Sequence, residues 1–288
     1  MELNSEIPSA PPRPASTVVM LRDGPHGLEV FLVKRHGLSD VLGGAFVFPG
    51  GKLDASDSLL DPVLHLDQLP TTLHASLGES ALDVSTATGL YVAALREAFE
   101  ESRVLFTVDG TVAKSALQQG KTQSFNALLA ELHVRLQTQN LLPWSRWITP
   151  RMPSITNKRF DTRFFVAAVP HGQDATHDNH EATESVWLTP RAALLQYWDR
   201  HIELAPPQIM SLAHLAHHTT VDSVLNSARN VPPPLILPES FDEDGSRVLC
   251  YPGDPAHSVT QRALPGPTRL IYRNKRFEPL DGFEALFA

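Results

Sequence analysis

What this chain lacks narrows its identity first. Its single cysteine, Cys250, excludes an internal disulfide and a cysteine-rich zinc site. That fits a reducing compartment. No stretch approaches the roughly eighteen consecutive apolar residues of a membrane-spanning helix. Lys and Arg number 24 against 32 Asp and Glu, a formal net charge of −8. Without a basic excess to displace counterions, neither nucleic acid nor an anionic membrane is an expected partner. A phosphate-bearing substrate would need local arginines or a divalent cation as a bridge. The opening MELNSEIPSAPPRPAS has no basic start followed by an apolar run, so it is not read as a secretory signal. Residues 1–15, polar and proline-rich, are expected to form a disordered leader. The ending Leu286-Phe287-Ala288 is not a Ser-Lys-Leu peroxisomal address. A cytoplasmic protein is the expectation.

What is present reads as an ordinary globular chain. Its 288 residues are 42% hydrophobic and 19% charged, enough to bury a core without staples. STVVMLR (16–22) and LEVFLVKR (28–35) predict a hairpin whose loop, DGPHG, is longer than two residues. AFVFPGG (45–51) predicts a short strand ended by proline and paired glycines. Residues 58–89 lose any steady period and read as an insertion. A helix follows from about Thr88 to Arg103. VLFTV (104–108), FFVAAV (164–169) and ESVWLT (184–189) predict strands, and 124–138, 190–199 and 207–219 predict helices. The main domain is expected over 16–230. Pro232-Pro233-Pro234 then opens a loop-rich C-terminal extension, 231–288, in which RLIYRN (269–274) is one more candidate strand. Strands interleaved with helices predict an α/β domain with helices packed on a mixed sheet.

The informative stretch is REAFEESRVLF (96–106). At helical spacing Glu97, Glu100 and Glu101 share one arc, with Tyr91, Leu95, Ala98 and Phe99 on the opposite side. Like charges at that spacing repel by about 0.2–0.5 kcal/mol per pair. A neighbouring arginine (Arg96 or Arg103), water or a metal ion can offset this. Upstream, FPGGKLD (48–54) ends a strand in glycines that free backbone carbonyls for close approach. Carboxylates with carbonyls are hard oxygen ligands suited to Mg²⁺ or Mn²⁺.

Here the sequence resembles the Nudix hydrolases. Their box reads Gly, five residues, Glu, seven residues, then Arg-Glu-U-x-Glu-Glu-x-Gly-U, with U bulky and aliphatic. Gly51 matches the first glycine, and Arg96, Glu97, Glu100, Glu101 and Val104 match the second half in register. Asp57 stands where the first glutamate belongs, with 38 residues between it and Arg96 instead of seven, and Glu79 is the alternative occupant. Ala98 is smaller than the usual U, and Arg103 replaces the glycine that ends the box helix, so a different helix end is expected. The split box is similar to that of the interrupted-box CoA diphosphatases, the mammalian peroxisomal type and its bacterial relatives. The likeness extends to KRFDTRFFVAAVP (158–170) and EATESVWLTPRAAL (181–194). Of the segment that precedes the box in CoA-cleaving members, Leu32, Arg35 and Gly44 match, whereas His36 and Asp40 depart from it.

The resemblance implies a Nudix-type α/β/α sandwich with a mixed sheet. It also implies a pyrophosphohydrolase acting on a small-molecule nucleotide substrate. The expected reaction cleaves CoA or acyl-CoA to 3′,5′-ADP and (acyl-)phosphopantetheine. ADP-ribose, NADH or another dinucleotide is the alternative substrate, and a non-catalytic nucleotide sensor is a rival of another class. It implies Glu97, Glu100, Glu101 and the Gly51 backbone as the Mg²⁺ or Mn²⁺ site, with Arg96 orienting a box glutamate. Glu97 is the first candidate for general base, and Glu181, Glu184 and Asp57 are further candidates for base or extra ligand. Arg35, Gly44 and Gly50 are candidate substrate contacts. Arg159 and Arg163, at strand spacing, are candidates for meeting phosphate or for a strand-edge surface role. His214, His217 and His218 have metal-compatible spacing without the zincin glutamate. Trp144, Trp147, Trp187 and Trp198 are expected in the core, one of them a candidate to stack on adenine. The insertion and the extension are candidates for lining the pocket or for pairing subunits in a homodimer.

Overall fold

The computed structural model describes residues 10–37, 42–119, 123–152, 158–178 and 182–288. Strands β1 (Arg13–Gly24) and β2 (Gly27–Arg35) form the first hairpin. Gly24 pairs with Gly27, so the turn is Pro25-His26 alone, shorter than expected. β1 starts at Arg13, within the stretch expected to be a leader. The strand expected over 45–51 is two, β3 (Phe46–Val47) and β4 (Gly50–Lys52), because Pro49 cannot donate to a ladder and breaks the run.

The insertion carries α1 (Pro62–His65) and α2 (Pro70–Leu77) and gives way to α3 (Val84–Ser102), which begins earlier than predicted. The Asp83 side chain accepts from the Thr86 N–H at 2.8 Å, satisfying one of the free donors of the first turn. Next come α4 (Gly110–Gln119), α5 (Phe125–Glu131), β5 (Leu142–Ile148), β6 (Phe160–Ala168) and β7 (Ala182–Leu188). Helices α6 (Pro190–Trp198), α7 (Pro206–Leu215) and α8 (Val221–Asn230) follow.

The main sheet runs β3-β2-β1-β6-β5-β8, with β8 at Leu235–Ile236; β4 also pairs with β1, and β7 with β2. β1 and β6 are parallel and β1 and β2 antiparallel, so the sheet is mixed as expected. Successive residues of β1 feed opposite cores. Val18 and Met20 pack under α3, and Val19 and Leu21 pack against α6 and α7. A strand covered on both faces needs apolar residues at every position, which is why VVML does not alternate.

Two expectations on irregular segments are corrected. Residues 104–108 are not a strand: Val104, Leu105 and Phe106 are fully buried, and Thr107 makes one isolated bridge to Leu136. The Gln173 carboxamide stands in for a neighbouring strand, accepting from Leu105 N–H at 2.9 Å and donating to its carbonyl at 2.7 Å. The extension is not merely loop. It folds into an antiparallel sheet, β12-β11-β10-β9, from β9 (Glu239–Glu243), β10 (Ser246–Cys250), β11 (Arg269–Arg273) and β12 (Arg276–Pro279). Its Leu249, Tyr251, Leu270 and Phe277 join the same core as α7. Among the described residues no helix is long and apolar enough to cross a membrane.

Candidate active site

The acidic face of α3 is not a solvated surface. Arg96, Glu97 and Glu101 are buried, and only Glu100 is partly open, with 35% of its side chain exposed. Strand β4 and the turn carrying Asp57 cover this face: the Gly50 N–H meets Glu101 and Asp57 meets Arg96. The insertion packs on the other, apolar side of α3, where the Ser76 hydroxyl lies 2.6 Å from that of Tyr91. Asp57, 1% exposed, receives Arg96 Nε at 2.8 Å and Nη2 at 3.0 Å. Arg96 Nη1 donates to Glu97 at 2.7 Å and to Glu100 at 3.0 Å, and Nη2 donates to the Lys52 carbonyl at 3.2 Å. Burial alone would lower the Arg96 pKa, but bonding to Asp57 and the charges of Glu97, Asp57 and Glu100 together raise it. Arg96 is thus a permanent cation that gathers the two half-boxes.

Several sequence candidates find their partners elsewhere. Asp57 spends both oxygens on Arg96 and on the Asp54 N–H, at 2.9 Å. In this arrangement it holds the arginine. Glu79 does not replace it: Glu79 accepts from Arg163 Nε at 2.9 Å and pairs with Arg146 at 2.8 Å. Arg163 is therefore locked beneath the insertion, 3% exposed, and is not part of the lining of the cavity described below. Arg159 gives Nε and Nη2 to the Thr149 carbonyl, at 3.1 and 2.9 Å. Glu184 pairs with Lys34 at 3.3 Å, outside the cavity described below. Glu181 and Asp40 lie outside the described residues. Gly44 holds a turn at φ +80°, its N–H bonded to Arg35 O at 3.1 Å, and does not line the cavity.

α3 ends as the box glycine would end it, although the residue is Arg103: φ is +62°, and its N–H bonds to Phe99 O at 2.9 Å. The expectation of a different helix end is corrected.

Strand β4 brings the glycines against the acids. Glu101 accepts from the Gly50 N–H at 3.0 Å. A Cβ added to Gly51 would lie 2.2 Å from Glu97 Oε1, so only glycine lets backbone and carboxylate meet. Together these groups front a cavity of about 640 Å³ lined by Arg35, Gly50, Gly51, Lys52, Asp54, Arg96, Glu97 and Glu100. Arg35 Nε is buried there and has no hydrogen-bond partner among the described residues. The far lining is apolar and aromatic, including Trp147, Phe160 and Phe164, with Pro206 and Pro207 of α7 and Leu249 of the extension. Of the four tryptophans, Trp147 is the one the cavity reaches.

Sequence reasoning missed Lys158, Gln208 and Leu249 as lining residues. Gln208 comes from a predicted helix and Leu249 from a strand inside the extension expected to be loop-rich. The histidine stripe holds no metal group among the described residues; His214 stacks on Trp144 with ring centroids 4.4 Å apart.

The donor set fits a hard divalent cation by chemistry and by the glycine cradle at Glu97. As arranged, Glu97 and Glu100 turn to Arg96 and Glu101 turns to Gly50. Among the described residues no three acidic, histidine or cysteine side chains are grouped to hold a metal ion.

A mixed sheet between two helical layers, with glycine strand against acidic helix, defines a Nudix hydrolase fold. The crystal structure of the NUDIX hydrolase from Alicyclobacillus acidocaldarius shares it, with a TM-score of 0.61 over 77% of this chain and 98% of that one, at 24% identity. The family model of the NUDT19 Nudix domain matches residues 5–215, and the chain belongs to that Nudix family. It is 27% identical over 234 residues to the acyl-coenzyme A diphosphatase NUDT19 of Xenopus laevis, covering 68% of this chain and 62% of that protein. To the human protein of the same name it is 27% identical over 252 residues, 74% of this chain and 67% of that one. Putative nudix hydrolase 7 of Caenorhabditis elegans is 26% identical over 247 residues, 83% of this chain and 73% of that one. The chain thus spans less than two thirds of the Xenopus relative.

Proposed function

We propose that this chain cleaves the diphosphate of CoA or acyl-CoA, giving 3′,5′-ADP and (acyl-)phosphopantetheine. The observation that carries the reading is the closure of the split box around Arg96, opening into a cavity with an apolar far wall. Relatives named acyl-coenzyme A diphosphatases support the substrate class. Glu97, Glu100, Glu101 and the Gly51 carbonyl would hold Mg²⁺ or Mn²⁺. Such a cation neutralises diphosphate charge and acidifies a bound water. Arg96 holds Glu97 and Glu100 in place, Glu97 is the proposed general base, and the Arg35 guanidinium, which lines the cavity, is the proposed phosphate donor. The aromatic and proline lining would exclude water from the bond being cut and accommodate the apolar parts of the substrate.

The test is a panel of CoA, acyl-CoA, ADP-ribose and NADH with Mg²⁺ or Mn²⁺, products separated by chromatography. CoA and acyl-CoA should be cleaved at the diphosphate, and a chelator should stop the reaction. Turnover of ADP-ribose or NADH with CoA left intact would overturn the substrate assignment.

A further inference from the structure

Arg13 opens β1 and lines the cavity. The alternation of the strand aims it there: Arg13, Ala15 and Thr17 share one face, and all three belong to the lining. Between them Ser16 points the other way, its hydroxyl donating to the Leu90 carbonyl of α3 at 2.7 Å. Arg13 is exposed, and its guanidinium has no hydrogen-bond or ion-pair partner among the described residues.

The neighbouring strand repeats the pattern. Arg13, Ala15 and Thr17 pair with Phe160, Thr162 and Phe164 of β6, which also line the cavity. The Arg13 N–H donates to the Arg159 carbonyl at 2.9 Å, so Lys158, exposed and in the lining, stands at the same end. The lining acid that adjoins this end, Asp54, is paired with Lys52 at 3.1 Å. The glycine strand lies further along: Gly51 pairs with Ser16, three residues from Arg13, or about 10 Å at the rise of a strand. The cavity thus has two charged places. At Gly50 and Gly51, carboxylates and Arg35 face the proposed diphosphate. At the other, a planar guanidinium is open on the wall, suited to a phosphate by charge and by its fork of donors. In a chain of net charge −8, a second anion needs such a local cation.

We propose that Arg13 is a specificity-determining residue that binds a phosphomonoester on the ribose of the nucleotide whose diphosphate lies at Gly50 and Gly51; on CoA this is the 3′-phosphate. The inference rests on the reading of the cavity as a nucleotide diphosphate site, and it deepens that reading by naming the group that marks the substrate.

Calorimetric titration of AMP, 3′,5′-ADP and 2′,5′-ADP tests it without requiring turnover. Wild-type protein should bind 3′,5′-ADP about 10-fold tighter than AMP, the effect of a charge-assisted contact. The gap should narrow as salt is added, because the arginine is exposed. Arg13→Ala should bind AMP and 3′,5′-ADP alike, with its melting temperature unchanged, since the side chain has no protein partner to lose. Arg13→Lys should keep part of the preference, because the charge stays and the fork goes. In cleavage assays the kcat/KM ratio of CoA to dephospho-CoA should fall towards one in Arg13→Ala. Equal binding of AMP and 3′,5′-ADP by the wild type, or a preference that survives in Arg13→Ala, would overturn the assignment. A wild type that cleaves CoA but binds the two alike refutes the Arg13 contact alone. An Arg13-dependent preference for 3′,5′-ADP without cleavage of any diphosphate upholds the contact and refutes the proposed reaction. Tighter binding of 2′,5′-ADP that Arg13→Ala erases upholds the contact and refutes CoA as the substrate.

Discussion

Arg96 and Asp57, 39 positions apart, meet through two parallel hydrogen bonds, Nε to Oδ1 at 2.8 Å and Nη2 to Oδ2 at 3.0 Å. The pair is buried, and the arginine's remaining nitrogen holds Glu97 and Glu100. Asp57→Asn leaves a buried guanidinium short of charge, and should cost about 3 kcal/mol in a urea titration. Arg96→Lys keeps the charge but loses the planar fork, so activity should drop by about 10–100-fold. A fully active lysine variant would show that the fork does not matter.

Gly51 sits where a methyl group would collide with Glu97, 2.2 Å from Oε1. Gly51→Ala must displace that carboxylate or β4. Overpacking of this kind costs about 1–3 kcal/mol. The expected outcome is a lowered melting temperature together with loss of diphosphate hydrolysis. An alanine variant with wild-type rates would exclude the cradle from the chemistry.

Glu100→Gln and Glu101→Gln separate charge from shape. The carboxamide introduced by Glu101→Gln can still accept the Gly50 N–H that Glu101 accepts at 3.0 Å, so circular dichroism and melting should change little. Turnover should fall by roughly two orders of magnitude if these charges serve the reaction. Unimpaired steady-state rates in either variant would count against the metal site.

Arg103 closes α3 in the left-handed region, at φ +62°. A non-glycine residue there carries about 1 kcal/mol of strain. Arg103→Gly should therefore stabilise the protein by about that amount in thermal melts. A lower melting temperature would mean that the arginine side chain contributes more than its backbone costs.

His214 gives stability a pH dependence. Burial first, then the neighbouring charges of His218 and His217, pushes its pKa down to about 4 from 6.5. The folded protein keeps this ring neutral while the unfolded chain takes up a proton below about pH 6.5. Its contribution is therefore complete above pH 6.5 and is lost as pH falls from 6.5 through 4. His214→Phe keeps an aromatic partner for Trp144 and should flatten the slope of melting temperature against pH in that window. An unchanged slope would assign the acid sensitivity elsewhere.

Much of this molecule could be read along the chain. β1, β2, β6 and β7 announce themselves as runs of Val, Phe, Leu and Met, and the helix bearing Glu97, Glu100 and Glu101 as a stripe at about 3.6-residue spacing. Gly51 and Arg96 could be picked out as box positions because backbone access and a planar cation are requirements of residue type, visible without coordinates. Those are local rules, reaching a few positions at most. Folding alone assigned the partners. Asp57, not Glu79, reached Arg96, since the insertion crosses α3 with Asp57 at its root and carries Glu79 away to Arg163 and Arg146. Arg163 and Arg159 looked equally suited to phosphate, yet the backbone path set both against internal acceptors. Residues 104–108 carry strand-like composition but were paired with a glutamine side chain instead of a strand. Gln208 and Leu249 came to the cavity from elements far along the chain. Propensity is summed over neighbours in sequence, whereas a buried charge or carboxamide takes its meaning from whichever distant group the packed chain leaves beside it.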